Sequence, residues 1–244
     1  MMVACVIPAR YNSSRFPGKL LKVAGGKTVL QRTLEAARGA DGFDYVCVAT
    51  DDERIGDHVR ALGGDVVWTR PECPNGTERV AEAVVKERRL QGAEIIVNLQ
   101  GDHPLVRPET LSAVVEALRG DPEAQMATAA TDCRDRERFL SPSCVKCVVD
   151  QKGRALYFSR APIPFGGKGA LHHVGIYAFR RPFLLSFVSL PATPLQEAED
   201  LEQLKALESG AIIRVARVEE TPLGVDLPED LITLEALCRS NTCL

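Results

Sequence analysis

The chain has 244 residues, 45% of them hydrophobic and 26% charged, with a formal net charge of −3. That size and apolar content support a globular domain with a sizeable core and argue against a disordered or fibrous chain. The small net negative charge argues against a surface that is basic throughout, as in many nucleic-acid or membrane binders, so any anionic ligand must be met by a local group of cations.

The first predicted element is a short apolar strand at residues 2–7, followed by the loop PARYNSSRFPGK. Arg10, Arg15 and Lys19 bring three cations to that loop, and Gly18 allows close backbone approach, so the segment suits a polyphosphate. A solvated basic loop is the alternative reading of the same charges. A helix over VLQRTLEAARG follows, opened by Thr28 with Gln31, and then a strand at 44–49 that ends in ATDD. Thr50 with Glu53 reads as the start of the next helix, with Asp51 and Asp52 as capping residues. A strand at 65–68 leads into TRPECPNGTER, where Asn75 with Glu78 opens a third helix, and a strand at 94–99 ends in NLQGDHP. After Pro108, Leu111, Val114, Val115 and Leu118 recur at helical spacing and Gly120 marks the stop. Repeated alternation of strand and helix predicts an α/β fold with a doubly wound, mostly parallel sheet.

The second half changes pattern. CVKCVVD, QKG and RALYF read as an antiparallel hairpin, and the glycine-bearing loop SRAPIPFGGKGALH leads into the strand HVGIYAF. Cys144 and Cys147 form a CxxC, but strand alternation points them to opposite faces and no second CxxC follows, so chelation is not expected. The eight cysteines fit reduced, packed thiols. A helix over 194–209 is predicted with Thr193 as cap and Gly210 as stop, and a last one from Pro228 to Leu237. With no internal repeat or linker, residues 1–244 read as a single domain elaborated at 132–180. No run approaches the ~20 apolar residues that span a bilayer, and MMVACVI before Pro8 is too short for a signal core, so a cytoplasmic protein is expected.

In open α/β sheets ligands bind at the carboxyl ends of the parallel strands. Here those ends carry PARYNSSRFPGK, ATDD, TRPECPNGTER and NLQGDHP, which should meet on one rim. Asp102 at the end of the fourth strand is a candidate Mg²⁺ ligand, and Asp226 in GVDLPED offers a second carboxylate. Turn formation and helix initiation are their competing structural roles. The chain has no GxGxxG after the first strand, no GxxxxGK[ST], no HExxH and no GxSxG, which removes the usual footing of dinucleotide, P-loop, zincin and serine-hydrolase chemistry. Nucleotidyl transfer needs no protein nucleophile, since positioning and charge stabilisation suffice.

VIPARYNSSRFPGK, VATDDERI, NGTER, VNLQGD, ALYFSRAPIPF, HVGIYAFR, EDLEQLKALE and GVDLPED, in that order, resemble the 3-deoxy-manno-octulosonate (Kdo) cytidylyltransferases of lipopolysaccharide assembly. The resemblance runs from about residue 3 to residue 237. It implies a Mg²⁺-dependent reaction of CTP with Kdo, a nucleotide-diphospho-sugar transferase fold, a homodimer and no nucleic-acid or membrane partner. It further implies that Arg10, Arg15 and Lys19 hold the triphosphate, with Lys19 stabilising charge on the α-phosphate, and that Arg79 belongs to the nucleotide end. Asp102 and Asp226 would bind Mg²⁺. Gln100, Arg160, His173, Tyr177, Glu202 and Gln203 would surround the sugar acid, with Arg160 on its carboxylate. The sequence departs from the family pattern at His103, where an acid is usual, in the shorter loop FGGKGALH, and in LQEAEDLEQLK, which lacks the usual LE-H pair. A cytidylyltransferase for another acidic sugar, sialic acid or an amino-Kdo, and a non-catalytic nucleotide-binding regulator remain as alternatives.

Overall fold

The computed structural model describes residues 1–13, 15–219 and 223–240. They form two compact units, one containing Met1–Leu111 with residues 223–240, the other residues 112–219.

The first unit begins with β1 (Val3–Ala9), every residue of which is buried. It continues through a 3₁₀ turn (Lys19–Leu21), a small ribbon of β2 (Val23–Ala24) and β3 (Lys27–Thr28), α1 (Val29–Gly39), β4 (Tyr45–Thr50), α2 (Glu53–Ala61), β5 (Asp65–Trp68), α3 (Gly76–Lys86), α4 (Arg88–Gln91) and β6 (Ile95–Asn98). Its sheet order is β6-β1-β4-β5, all parallel. Residues on both faces of β1 are buried, which is why its sequence is an unbroken apolar run rather than an alternating one. Helix starts follow local chemistry. The Thr28 hydroxyl accepts from the Gln31 N–H, and Asn75 Oδ1 accepts from the Glu78 N–H. For α2, where the sequence offers Thr50, Asp51 and Asp52 as start residues, Asp52 is the cap: its carboxylate accepts from the Arg54 N–H, while the Thr50 hydroxyl accepts from the Asp52 N–H one step earlier.

Helix α5 (Pro108–Arg119) buries Leu111, Val114, Val115 and Leu118, as its periodicity predicts, and carries the chain into the second unit. There follow β7 (Met126–Asp132), α6 (Arg136–Leu140), β8 (Lys146–Val149), β9 (Ala155–Ser159), β10 (Leu171–Arg180), α7 (Arg181–Phe187), α8 (Pro194–Glu199), α9 (Glu202–Glu208) and β11 (Ile213–Arg217). β8 and β9 form the expected antiparallel hairpin, β10 runs antiparallel to both β8 and β7, and β11 lies parallel to β7. The predicted helix over 194–209 is two helices. Asp200 adopts φ 51° and ends α8, a conformation that Asp tolerates better than most residues, and α9 restarts at Glu202. Thr193 makes no capping bond, its hydroxyl being donated to Glu208 instead. Back in the first unit, α10 (Pro228–Arg239) closes the described chain.

The α/β class, the mostly parallel sheet and the antiparallel hairpin read from the sequence are therefore all present. The seven described cysteines are free thiols, and Cys243 lies outside the described residues. Burial drives the Cys147 thiol up to about 12, while Cys144 lies outside β8 on the preceding turn. Among the described residues no helix is long and apolar enough to cross a membrane.

Candidate active site

The loop after β1 is closed by its own backbone. The Gly18 N–H donates to the Tyr11 carbonyl at 2.9 Å, with Gly18 at φ 69° and so near the tyrosine that a Cβ would meet its ring at 3.0 Å. Glycine is required there on both counts. The next residue, Lys19, starts the 3₁₀ turn and points a mostly buried ammonium back toward the strand ends. Leu20 packs beneath, near the site where Gly101 follows β6.

The QGD turn is anchored from two sides. The Thr33 hydroxyl donates to the Gly101 carbonyl at 3.0 Å, and Val225 N–H donates to the Asp102 carbonyl at 2.9 Å. That second bond pins GVDLPED against QGD. Asp230, in the first turn of α10, then accepts from the N–H groups of Asp226 and Leu227, fixing the Asp226 backbone. Two acids 124 positions apart in sequence thus face one cation: Lys19 Nζ lies 2.5 Å from Asp102 Oδ2 and 2.8 Å from Asp226 Oδ1. Arg15 stands 3.6 Å from the other Asp226 oxygen.

Burial opposes the charge on Lys19, but its two carboxylate partners outweigh that and hold its pKa above the ordinary lysine value. Burial likewise pushes the Asp226 carboxyl up, and Lys19 and Arg15 pull it below the usual range. His103 Nε2 is 3.8 Å from Asp102 Oδ1, and burial holds its pKa below the ordinary imidazole value.

Lys19, Arg15, Asp102 and Asp226 line a cavity of about 220 Å³ together with Arg10, Ser13, Cys73, Asn75, Gly76, Arg79 and Gln100. Arg10 is exposed at the rim and makes no ion pair among the described residues. Arg79 is the opposite case. It is 3% exposed and donates to the Thr69 hydroxyl at 2.5 Å, with the Asp51 carboxylate 2.7 Å away. It therefore ties the ends of β4 and β5 to α3, and Asp51 is an ion-pair partner rather than a helix cap. Gln100 donates to Asn98 Oδ1 at 3.1 Å and belongs to this cavity.

The remaining sugar-side candidates lie in the second unit. His173 is buried, shares a 2.9 Å hydrogen bond between its Nε2 and the Thr128 hydroxyl, and packs against the rings of Phe158 and Tyr177. Its pKa is depressed by burial to about 3. The Tyr177 hydroxyl donates to Gln203 Oε1 at 3.1 Å, and burial pushes that phenol well up. Gln203 is 2% exposed, and its amide nitrogen is buried without a partner among the described residues. Glu202 opens α9 beside it. Arg160 directly follows β9, its guanidinium donating to backbone carbonyls.

Two residues with dense polar environments escaped the sequence reading. Glu82 accepts from the Arg70 N–H, the Arg70 side chain, and the Cys73 thiol, and so fixes the loop that carries Cys73 to the cavity. Lys146 is wholly buried and donates to the carbonyls of Ser141, Cys144 and Arg160. Neither stands in a motif. A charged residue within the alternating strand CVKCVVD was the one available signal for the second.

Cations from the loop after the first strand, facing paired carboxylates at the ends of other elements of a parallel sheet, define a nucleotidyltransferase-type site. The Cytidylyltransferase family model matches residues 4–218. A 3-deoxy-manno-octulosonate cytidylyltransferase of Protochlamydia amoebophila is 48% identical, over 98% of this chain and 95% of the relative. The mitochondrial 3-deoxy-manno-octulosonate cytidylyltransferase of Arabidopsis thaliana is 45% identical over 98% of this chain and 84% of its own. The solved structure of a CMP:2-keto-3-deoxy-manno-octonic acid synthetase complexed with CTP superposes with a TM-score of 0.93 at 40% identity, covering 98% of this chain and 99% of that one. A 4-diphosphocytidyl-2C-methyl-D-erythritol synthase from Anaerococcus prevotii, at 16% identity and TM-score 0.67, shares the fold. The chain belongs to the 3-deoxy-manno-octulosonate cytidylyltransferase family.

Proposed function

We propose that this cytidylyltransferase activates Kdo with CTP, releasing CMP-Kdo and pyrophosphate. The observation that carries the reading is the Lys19 ammonium held between Asp102 and Asp226 over a cavity rimmed by Arg10 and Arg15. In the reaction the anomeric 2-hydroxyl of the sugar attacks the α-phosphorus and gives up its proton to solvent, while the bond from the α-phosphorus to the bridging oxygen breaks and pyrophosphate leaves. Arg10 and Arg15 hold the triphosphate, and Lys19 neutralises charge that grows on the α-phosphate. Arg79 acts from beneath, by holding the strand ends that frame the nucleotide.

Asp102 and Asp226 fit a magnesium ion. Both carboxylates already converge on one cationic centre, the Lys19 nitrogen, and hard oxygen donors are what Mg²⁺ selects. When bound, the ion supplies Lewis-acid neutralisation of the phosphates. On the sugar side, Arg160 meets the carboxylate, while His173, Tyr177, Glu202 and Gln203 serve the hydroxyls; Gln100, also read as a sugar residue, lines the first unit's cavity. The buried amide nitrogen of Gln203, without a partner among the described residues, supports its role on the hydroxyls. A homodimer, a cytoplasmic location and a place in lipopolysaccharide assembly belong to the same reading.

A substrate panel tests it: the protein is incubated with Mg²⁺, CTP and, in turn, Kdo, an amino-Kdo and sialic acid, and pyrophosphate is measured. Release with Kdo is expected. Release with another acid sugar alone would replace the substrate, and nucleotide binding without turnover on any sugar would replace the enzyme by a regulator.

A further inference from the structure

Arg160 is held in an unusual way for a residue with a half-exposed side chain. Its guanidinium has five N–H donors. Nε donates to the Glu199 carbonyl at 2.8 Å, Nη1 to the Pro142 carbonyl at 3.2 Å and Nη2 to the Asp200 carbonyl at 3.2 Å. One N–H is left on each terminal nitrogen, and the side chain is 38% exposed, so this pair remains open to a carboxylate fork. The Asp200 carboxylate, 3.6 Å away and almost fully exposed, is a weak competitor.

The other half of the arrangement is the Glu199 carboxylate. Oε2 accepts from the Arg160 backbone N–H at 2.8 Å, and Oε1 accepts from the Ser159 hydroxyl at 2.6 Å. The two residues are therefore reciprocal: the side chain of Glu199 fixes the backbone of Arg160, and the backbone of Glu199 fixes its side chain. The left-handed turn at Asp200, the one described non-glycine residue with positive φ, ends α8 where its last carbonyls meet the guanidinium. Such strain persists where surrounding contacts over-determine it. Lys146 completes the enclosure by donating to the Arg160 carbonyl at 2.6 Å.

We propose that Glu199 is a positioning residue for Arg160, fixing the guanidinium so that its two remaining N–H groups present a ready fork to the carboxylate of the sugar acid. The proposal rests on the reading that Arg160 meets that carboxylate. Glu199 itself touches no substrate. A pre-set fork spares the sugar the entropic cost of ordering a long side chain, so its loss appears in sugar affinity.

The test is steady-state kinetics of the full chain with Mg²⁺, CTP and Kdo. Glu199→Ala should raise the KM for Kdo about tenfold and leave the KM for CTP within about twofold. Glu199→Gln, which can still accept from the Arg160 N–H while its amide donates to the Ser159 hydroxyl, should recover most of that loss. Arg160→Ala should also raise the KM for Kdo, and adding Glu199→Ala to it should change little, because both act through one contact. Additive effects, or an unchanged Kdo KM in Glu199→Ala alone, would overturn the positioning role while leaving the Arg160 reading intact. An unchanged Kdo KM in Arg160→Ala would overturn both. If Glu199→Ala does not fold, Ser159→Ala carries the test: removing the hydroxyl that aims Oε1 should raise the Kdo KM about threefold, and no rise sinks the proposal.

Discussion

Lys19 and Asp102, 83 positions apart in the chain, form a 2.5 Å ion pair in which the lysine side chain is only 11% exposed. The same ammonium lies 2.8 Å from Asp226, whose other oxygen faces Arg15 at 3.6 Å, so one lysine is shared by two carboxylates before any ligand arrives. A nucleoside triphosphate brings about four negative charges toward this point. On the proposed reading Lys19 turns donors toward phosphate, where its charge would count most as the α-phosphate passes through its transition state. Lys19→Ala or Asp102→Ala is expected to lower turnover by at least ~100-fold, the scale of one transition-state electrostatic contact. Pyrophosphate release measures it, with circular-dichroism melts as the check that each variant folds. Wild-type rates in either variant would remove that residue from the mechanism.

Arg79 invites a different expectation from Arg10, although both line the cavity. Its guanidinium is 4% exposed and bridges Asp51 and Thr69, so its first duty is to the scaffold. Breaking a buried pair by deleting one partner costs about 3–5 kcal/mol, and the partial exposure of Asp51 places this case near the lower figure. Arg79→Met should therefore lower the urea midpoint markedly. Arg10→Met should leave it unchanged while raising the KM for CTP. Equal stability of the two variants would show that the Arg79 pair is not structural.

The contrast between these arginines also marks what a sequence can reveal. The strand-helix alternation of the first half was legible because buried parallel strands are unbroken apolar runs and helix starts carry Thr28 or Asn75 at fixed offsets. β7 was not, since MATAATD is mostly alanine and threonine with little apolar bulk. The split of α8 from α9 was hidden for a related reason: Asp200 in QEAEDLEQ looks like any exposed helical acid, and only contacts made by Glu199 and Asp200 with Arg160 show why the helix stops. At the site, the loop cations and the acids were visible as strand-end residues. That Asp102 and Asp226 share a lysine depends on a backbone bond from Val225 to Asp102, which no spacing rule encodes.

His173 supplies a pH prediction whose sign can be fixed. Its folded pKa of about 3 lies below the ~6.5 of a free imidazole, so between those values the unfolded chain binds the extra proton. Stability is complete above about 6.5 and is lost as pH falls toward 3, by at most about 1.4 kcal/mol per pH unit. His173→Gln can keep a hydrogen bond to Thr128 without titrating. Urea melts at pH 7, 5.5 and 4 should show a shallower decline in this variant than in wild type. Parallel declines would mean that His173 is not the buried neutral base the geometry describes.

The shared lysine also bears on metal binding in the absence of nucleotide. A divalent cation entering between Asp102 and Asp226 would meet an ammonium already seated there, and like charges about 4 Å apart oppose each other by several kcal/mol even with an effective dielectric near 20. On the proposed reading, nucleotide would relieve the conflict by giving Lys19 phosphate oxygens to bind. Free protein should thus take up Mn²⁺, a spectroscopic substitute for Mg²⁺, only weakly. Lys19→Met, which keeps the length of the side chain and removes the charge, should bind Mn²⁺ at least ~10-fold more tightly, read as loss of the free-ion signal by electron paramagnetic resonance. Adding Asp226→Asn should cancel the gain, because one of the two carboxylates is then neutral. Unchanged Mn²⁺ affinity in Lys19→Met would separate the lysine from the metal position, and a gain that survives Asp226→Asn would move the metal away from Asp226.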